Sequence, residues 1–100
     1  MKKIINGRLY NTDTATSIGG WCNGYSMYDF NYCEEILYRK KTGEFFLYGK
    51  GGARSSYAES CGDCWCSGEN IIPFTYEEAK EWAMLRLSAD EFLEHFECEE

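Results

Sequence analysis

Residues 33–49 read CEEILYRKKTGEFFLYG, two β-favouring segments on either side of a short turn. Cys33 to Lys40 and Glu44 to Gly49 are rich in the branched and aromatic side chains that strands favour. Residues 41–43, Lys-Thr-Gly, suit the loop of an antiparallel hairpin. We therefore expect these two strands to form the centre of a β-sheet.

The residues before this hairpin predict further strands. Residues 3–5 and 8–10 flank Asn6-Gly7, which supplies the two positive-φ residues of a type I′ turn. Residues 15–22 predict another strand. Residues 25–32 are aromatic and polar without a clean period, so we expect a loop packed by its own rings.

The residues after the central hairpin begin with an irregular segment. Residues 49–68 are rich in Gly, Ser and Cys, which predicts a loop with at most one helical turn near residues 55–58. Residues 71–74 predict a short strand. We place it at the edge of the sheet because Pro73 has no N–H to donate within a central strand.

Two helices are expected at the C-terminal end. Thr75 with Glu78 three residues on makes a capping box, and Ser88 with Glu91 repeats it. Apolar residues then recur at helical spacing after each box. The first set predicts a helix over about residues 76–87, and the second a shorter helix with its apolar stripe inward: Ala79, Trp82, Ala83 and Leu87, then Phe92, Leu93 and Phe96.

Together these elements predict a single α+β domain spanning residues 1–100. Residues 1–74 supply mainly strands and loops, and residues 75–97 supply the two helices. We expect an antiparallel sheet of four or five strands, built from hairpins and packed against both helices. One hundred residues suffice for one hydrophobic core but not for two.

Charge divides the chain. The net charge is −7, yet residues 1–54 hold eight bases against five acids, whereas residues 55–100 hold two bases against twelve acids. Such an imbalance argues against direct binding of the acidic part to nucleic acid. It favours either simple solvation or a protein partner with a basic surface.

The expected binding residues are acids on the outward side of the two helices. Glu77 and Glu81 are four residues apart, as are Asp90 and Glu94, and like charges at that spacing repel. The full set that we predict to meet the partner is Glu77, Glu78, Glu81, Asp90, Glu91, Glu94 and Glu97. Rigid aromatic contact area could come from Tyr25, Tyr28 and Tyr32.

Location follows from what the sequence lacks. The first residues show no apolar signal-peptide core, and no stretch approaches the roughly 18 apolar residues of a membrane-spanning helix. We expect a soluble protein in the bacterial cytosol. Cysteines in that reducing compartment are expected to be thiols.

The spacing that most suggests a metal or redox site is that of three cysteines, Cys61-x-x-Cys64-x-Cys66. Thiolates this close can share a zinc ion, each at about 2.3 Å. The alternative is three reduced loop cysteines without a metal, because the doubled C-x-x-C pattern is absent. A fourth ligand would come from Cys22, Cys33, His95, Cys98 or a carboxylate.

No catalytic arrangement emerges, so we expect no enzymatic activity. His95 and Cys98 lie three residues apart, but no third residue is placed to orient them. The glycine-rich residues 49–55 lack the phosphate-loop pattern G-x-x-x-x-G-K-[ST]. Lys50 and Arg54 are the candidates if that segment binds an anion.

A family resemblance covers nearly the whole chain. It is carried by KIINGRLYNTDTA at 3–15, DFNY at 29–32, LYR at 37–39, GEFFL at 43–47, GKGG at 49–52, SYA at 56–58, IIP at 71–73 and EEAKEWA at 77–83. These segments resemble a group of small proteins from Firmicutes genomes and their phages and mobile elements.

The resemblance implies a setting rather than a catalytic residue. Small acidic proteins of phages and mobile elements resemble anti-CRISPR inhibitors, which occupy the basic nucleic-acid channel of an effector nuclease. By that analogy we expect a non-enzymatic anti-defence inhibitor whose partner is a CRISPR effector nuclease or a similar basic protein. The alternative is a zinc-stabilised structural or regulatory module built on Cys61, Cys64 and Cys66.

Overall fold

The computed structural model describes residues 1–26, 28–60, 62 and 64–97. Their strands and helices follow in chain order: β1 (Lys2–Ile5), β2 (Arg8–Asn11), β3 (Thr16–Cys22), β4 (Cys33–Arg39), β5 (Phe45–Gly51), β6 (Glu59–Ser60), β7 (Trp65–Cys66), β8 (Gly68–Phe74), α1 (Tyr76–Arg86) and α2 (Ala89–His95). The main sheet has four antiparallel strands in the order β3-β4-β5-β8. The predicted α+β architecture is confirmed.

The central pair, β4 and β5, is the hairpin that residues 33–49 predict. Leu37 lies opposite Leu47, and Tyr38 opposite Phe46. The connecting turn is closed by a bond from the Lys40 N–H to the Glu44 carbonyl at 2.7 Å. Gly43 has a φ of 93°, a conformation that a residue with a Cβ rarely adopts. The turn chemistry therefore fixes the register of the sheet's centre.

The N-terminal hairpin is a separate two-stranded ribbon of β1 and β2. Asn6 and Gly7 have φ values of 53° and 77°, as the I′ turn requires. The hairpin covers one face of the sheet by placing Tyr10 edge-on to Phe46, with ring centroids 5.5 Å apart. Tyr38 stacks on the same Phe46 ring at 5.2 Å.

The opposite face carries the larger core, beneath the two helices. Both capping boxes are present, at Thr75 and Ser88. The helices and the sheet together bury Ile18, Leu37, Phe45, Leu47, Ala79, Trp82, Ala83, Phe92 and Phe96. One predicted core residue is misplaced: Leu93 is exposed, because it follows Phe92 by one residue and so turns away from the sheet.

The segment predicted as a loop, residues 49–68, holds more structure than expected. β5 continues to Gly51, β6 and β7 pair as a short ribbon, and β8 begins at Gly68 rather than at Ile71. β8 is an edge strand, as Pro73 requires. Neither α1 nor α2 has the length and apolar character needed to span a membrane, in the part of the chain that the structure describes.

Candidate functional site

Helix α1 presents acids on the side away from the sheet. Ala79, Trp82 and Ala83 are buried, so helical geometry turns Glu77 and Glu81 outward, and both are exposed. Glu78 is also exposed, but its carboxylate accepts the Thr75 N–H at 3.0 Å in the capping box. Two of the three predicted acids on this helix are therefore left for a partner.

Helix α2 repeats this arrangement. Phe92 is buried, whereas Asp90 and Glu94 are exposed one turn apart. The Glu91 carboxylate accepts the Ser88 N–H at 3.4 Å and so completes the second capping box, and it also accepts a hydrogen bond from the Ser88 hydroxyl at 3.0 Å. Glu97, just beyond the helix, is exposed as well. The structure thus brings all seven predicted acids onto one helical layer, with Glu78 and Glu91 partly committed to the fold.

None of these acids has an ion-pair partner within the described residues. The ion pairs there join side chains of the sheet and its hairpins instead: Arg8–Glu44 at 2.9 Å, Lys40–Glu44 at 3.4 Å and Lys50–Glu34 at 4.0 Å. One base of α1 is turned toward the sheet, where the Arg86 guanidinium lies 3.9 Å from the centre of the Trp21 ring. Lys80 is the other base of α1, and neither base forms an ion pair with these acids within the described residues.

The helical layer also exposes apolar side chains that the sequence analysis did not predict as surface. Met84 and Leu85 on α1 and Leu93 on α2 are all more than half exposed. The signal was present in the spacing, because Met84 and Leu85 follow Glu81 by three and four residues and so share its side of the helix. We define these three residues and the acids Glu77, Glu81, Asp90, Glu94 and Glu97 as the acidic–apolar face.

A second cluster, centred on Glu35, lies between the sheet and the loop over residues 52–58. The Glu35 carboxylate accepts hydrogen bonds from the Tyr57 hydroxyl and from the Trp82 indole N–H, the latter at 3.1 Å. Burial, followed by the hydrogen bond to Glu35, raises the pKa of Tyr57. The Tyr57 ring lies against Gly49, where any Cβ would overlap it. The contacts position the loop on the sheet.

The buried thiol of Cys33 adjoins this cluster. Burial raises its pKa, and the Glu35 carboxylate raises it further. A thiol is a nucleophile only as the thiolate, so these surroundings suppress its reactivity at neutral pH. Cys22 cannot pair with it in this fold, since Cys22 lies opposite Glu34 and neighbouring positions along a strand point to opposite faces.

The predicted zinc ligands are only partly within the described residues. Cys61 lies outside them, as does Cys98. Cys64 and Cys66 flank Trp65 at the exposed β6–β7 ribbon. Cys66 takes part in a disulfide bond, which departs from the expectation that the cysteines are thiols. A sulfur cannot hold a disulfide and a zinc ion at once.

No group of three His, Cys, Asp or Glu side chains in the described ranges is placed to hold a metal ion. Because Cys61 and Cys98 lie outside these ranges, the zinc module stays a prediction from the sequence.

The glycine-rich residues at the end of β5 line a pocket of about 440 Å³. Lys50 reaches this pocket, but so do the carboxylates of Glu59 and Glu69, which oppose the binding of an anion. Glu69 also accepts a 2.5 Å hydrogen bond from the Tyr48 hydroxyl. The pocket is thus a mixed-charge site rather than a phosphate cradle. Arg54, the second candidate for an anion, is exposed outside it.

The aromatic loop before β4 is not packed by its own rings as predicted, since Phe30 and two of its tyrosines are exposed. Tyr25 and Tyr28 are exposed, as a contact surface requires, but Tyr32 is buried. The Tyr32 hydroxyl donates a hydrogen bond to Glu34, and this bond raises the pKa of Tyr32 to about 12. Tyr32 therefore anchors the loop instead of offering contact area.

No protein-family model, curated protein or solved structure matches the chain. The resemblance to small proteins of phages and mobile elements therefore stays a prediction. The acidic–apolar face combines several exposed acids that have no ion-pair partner within the described residues with three exposed apolar side chains.

Proposed function

We propose that the protein is a small, acidic, non-enzymatic binding protein that inhibits a host defence effector of the CRISPR type. In this proposal the acids of α1 and α2 meet the basic surface with which the effector binds nucleic acid. The observation that carries the proposal is the set of exposed, unpaired carboxylates at Glu77, Glu81, Asp90, Glu94 and Glu97.

The energetic argument is that the fold does not need these charges. Glu77 and Glu81 are like charges four residues apart on one helix, an arrangement that costs a few tenths of a kcal/mol. Asp90 and Glu94 repeat it. The helices are held by their buried stripes and capping boxes, which involve other residues. Charge that destabilises the free protein is readily explained if a partner neutralises it.

The chemistry of the partner follows from the sign of the charge. A channel that binds nucleic acid is lined by Lys and Arg that neutralise phosphates. Carboxylates on a rigid helical layer can occupy the same bases and exclude the nucleic acid. Opposite potentials also speed the encounter, an effect that is strong at low salt and screened at high salt.

The test is inhibition and direct binding with a panel of purified CRISPR effector nucleases. We expect the protein to bind at least one effector, to reduce its cleavage of target DNA, and to lose affinity between 0.05 and about 0.5 M salt. The variant Glu77→Lys/Glu81→Lys/Asp90→Lys/Glu94→Lys should bind at least about tenfold more weakly.

A paired comparison separates the site from net charge. Glu77→Lys/Glu81→Lys and Asp13→Lys/Glu59→Lys change the net charge equally, and all four carboxylates are exposed. Only the first pair belongs to the acidic–apolar face. If both pairs weaken binding to the same extent, or neither does, the proposed surface is wrong.

A further inference from the structure

The exposed apolar residues of α1 are set among its acids rather than scattered. Glu77, Glu81 and Leu85 follow one another at intervals of four residues, so they form one row along the outer side of the helix. Met84 adjoins this row, three residues after Glu81. Leu85 is 74% exposed and Met84 59% exposed. The outer side of α1 therefore carries both acidic and apolar side chains, with Lys80 at its border.

Helix α2 shows the same mixture over a shorter length. Leu93 is 56% exposed. Asp90 precedes it by three residues within the helix, a spacing that brings helical side chains together. α1 and α2 contact each other, and both present exposed acidic and apolar side chains.

This mixture is not what a purely electrostatic surface requires. A carboxylate surface that only replaced phosphates would gain nothing from neighbouring Leu and Met side chains. Exposed leucines leave apolar area in water, and its burial against a partner would be favourable. Apolar anchors surrounded by a charged rim are instead the composition of a protein interface.

We infer that the acidic–apolar face receives a basic amphipathic helix of the partner, whose Lys and Arg flank an apolar stripe. The inference rests on the proposed function and specifies the element of the partner that is bound. The stripe would cover Met84, Leu85 and Leu93, and the flanking bases would pair with Glu77, Glu81, Asp90 and Glu94.

The receiving surface explains why the bound element is a helix. The face is built from side chains of two helices whose backbone groups bond within each helix, so it offers no strand edge to an extended peptide. A helix satisfies its own backbone hydrogen bonds and presents apolar residues every three or four positions with charges on either side. Charge complementarity fixes the sign of those charges.

The experiment uses the full chain and two synthetic peptides of about 18 Lys and Leu residues, long enough to form a helix on binding. In the first peptide the leucines form one helical stripe. The second has the same composition in a scrambled order without a stripe. We expect the first to bind at least about tenfold more tightly, as measured by titration calorimetry.

Variants assign the difference to residues. Leu85→Gln/Leu93→Gln should weaken binding of the striped peptide by about tenfold or more and leave the scrambled peptide unaffected. Ile4→Gln/Leu9→Gln is a matched control, because Ile4 and Leu9 are 72% and 51% exposed on the distant N-terminal hairpin. Circular dichroism of each variant confirms that the helices are retained.

The outcomes distinguish this inference from the proposed function. Equal binding of the two peptides, weakened by Glu77→Lys/Glu81→Lys, would overturn the inference and leave an electrostatic inhibitor. Binding of neither peptide, with inhibition of an effector retained, would also overturn it. A chain that dimerises in sedimentation experiments and becomes monomeric in Leu85→Gln/Leu93→Gln would show that a second copy, not a basic helix, covers the face.

Discussion

The two faces of the four-stranded sheet are covered by elements of opposite charge. The N-terminal hairpin carries Lys2, Lys3 and Arg8, and a groove of about 340 Å³ beside it is lined by Arg8, Lys40 and Lys41. The helical layer on the other face carries the unpaired acids. Both covers do the same structural work of burying aromatic and aliphatic side chains.

The two covers differ in whether their charged side chains form contacts within the protein. On the hairpin side Glu44 accepts from both Arg8 and Lys40, and the Lys40 ammonium also lies 4.4 Å from the centre of the Tyr10 ring. These charges are partly engaged within the protein. On the helical side the acids are left to solvent. Contacts within the protein account for bases on the hairpin side but not for the acids of the helices. We therefore assign the binding role to the helices.

The largest expected effects test whether both covers are structural. Phe46 and Leu37 are each fully buried, Phe46 under the hairpin and Leu37 under the helices. We expect Phe46→Ala to lower the free energy of unfolding by about 3–5 kcal/mol and Leu37→Ala by about 2–5 kcal/mol, in urea denaturation. The exposed Phe30 provides the control, with Phe30→Ala expected within about 0.5 kcal/mol of the parent. A small effect at Phe46 would mean that the hairpin is only loosely attached.

A smaller effect tests how the loop over residues 52–58 packs on the sheet. There the Tyr57 ring occupies the space above Gly49, so Gly49→Ala must displace it. We expect a loss of about 1–3 kcal/mol in thermal or urea unfolding. Gly20→Ala, in β3, is the control: its Cβ would make ordinary contacts of 3.6 Å, so stability should be unchanged or slightly higher. Equal effects at both glycines would contradict the role given to Tyr57.

The hydroxyl of Tyr57 is tested separately by Tyr57→Phe, which keeps the ring over Gly49. Loss of its hydrogen bond to the Glu35 carboxylate should cost about 1.5 kcal/mol at pH 7, because Trp82 still donates to that carboxylate. The measurement is urea denaturation, and Gly49→Ala, which displaces the ring itself, is the comparison for ring burial.

The pH dependence gives a sharper readout of the same bond. The pKa of Tyr57 is raised in the folded state, so its contribution is fully present below the ordinary tyrosine pKa of about 10 and is lost as the pH rises above it. Tyr32, with its pKa raised to about 12, adds to the loss over the same range. The free energy of unfolding should therefore fall between about pH 10 and 12, and fall less in Tyr57→Phe. Parallel curves for the two proteins would disprove the assignment.

Local signals predicted the elements of the fold well, and long-range packing limited the rest. The β4–β5 hairpin, the turn at Asn6-Gly7 and both capping boxes depend on neighbouring residues, so the sequence specifies them directly. The β6–β7 ribbon pairs only two residues a side, too few to show a period. Burial of Tyr32 follows from its place beside β5, which no local pattern encodes.

The candidate site divides in the same way. The outward direction of the acids follows from helical spacing and could be predicted. Exposure of Leu93 was missed because the predicted apolar stripe includes it with Phe92, although neighbouring residues of a helix point in different directions. The status of Cys66 also depends on which sulfur it meets in three dimensions, and spacing alone left that open.

The smallest predicted effect separates stability from binding on the helical layer. Glu81→Gln removes one charge of the repelling pair with Glu77 and retains the shape and helix propensity of the side chain, so we expect a gain of about 0.2–0.5 kcal/mol in stability. Binding to the effector, or to the striped basic peptide, should weaken in the same variant. Glu78→Ala should instead lower stability, since the Glu78 side chain closes the capping box. If Glu81→Gln instead lowers stability, the acid serves the fold, and the contrast between the two covers no longer points to the helices as the binding surface.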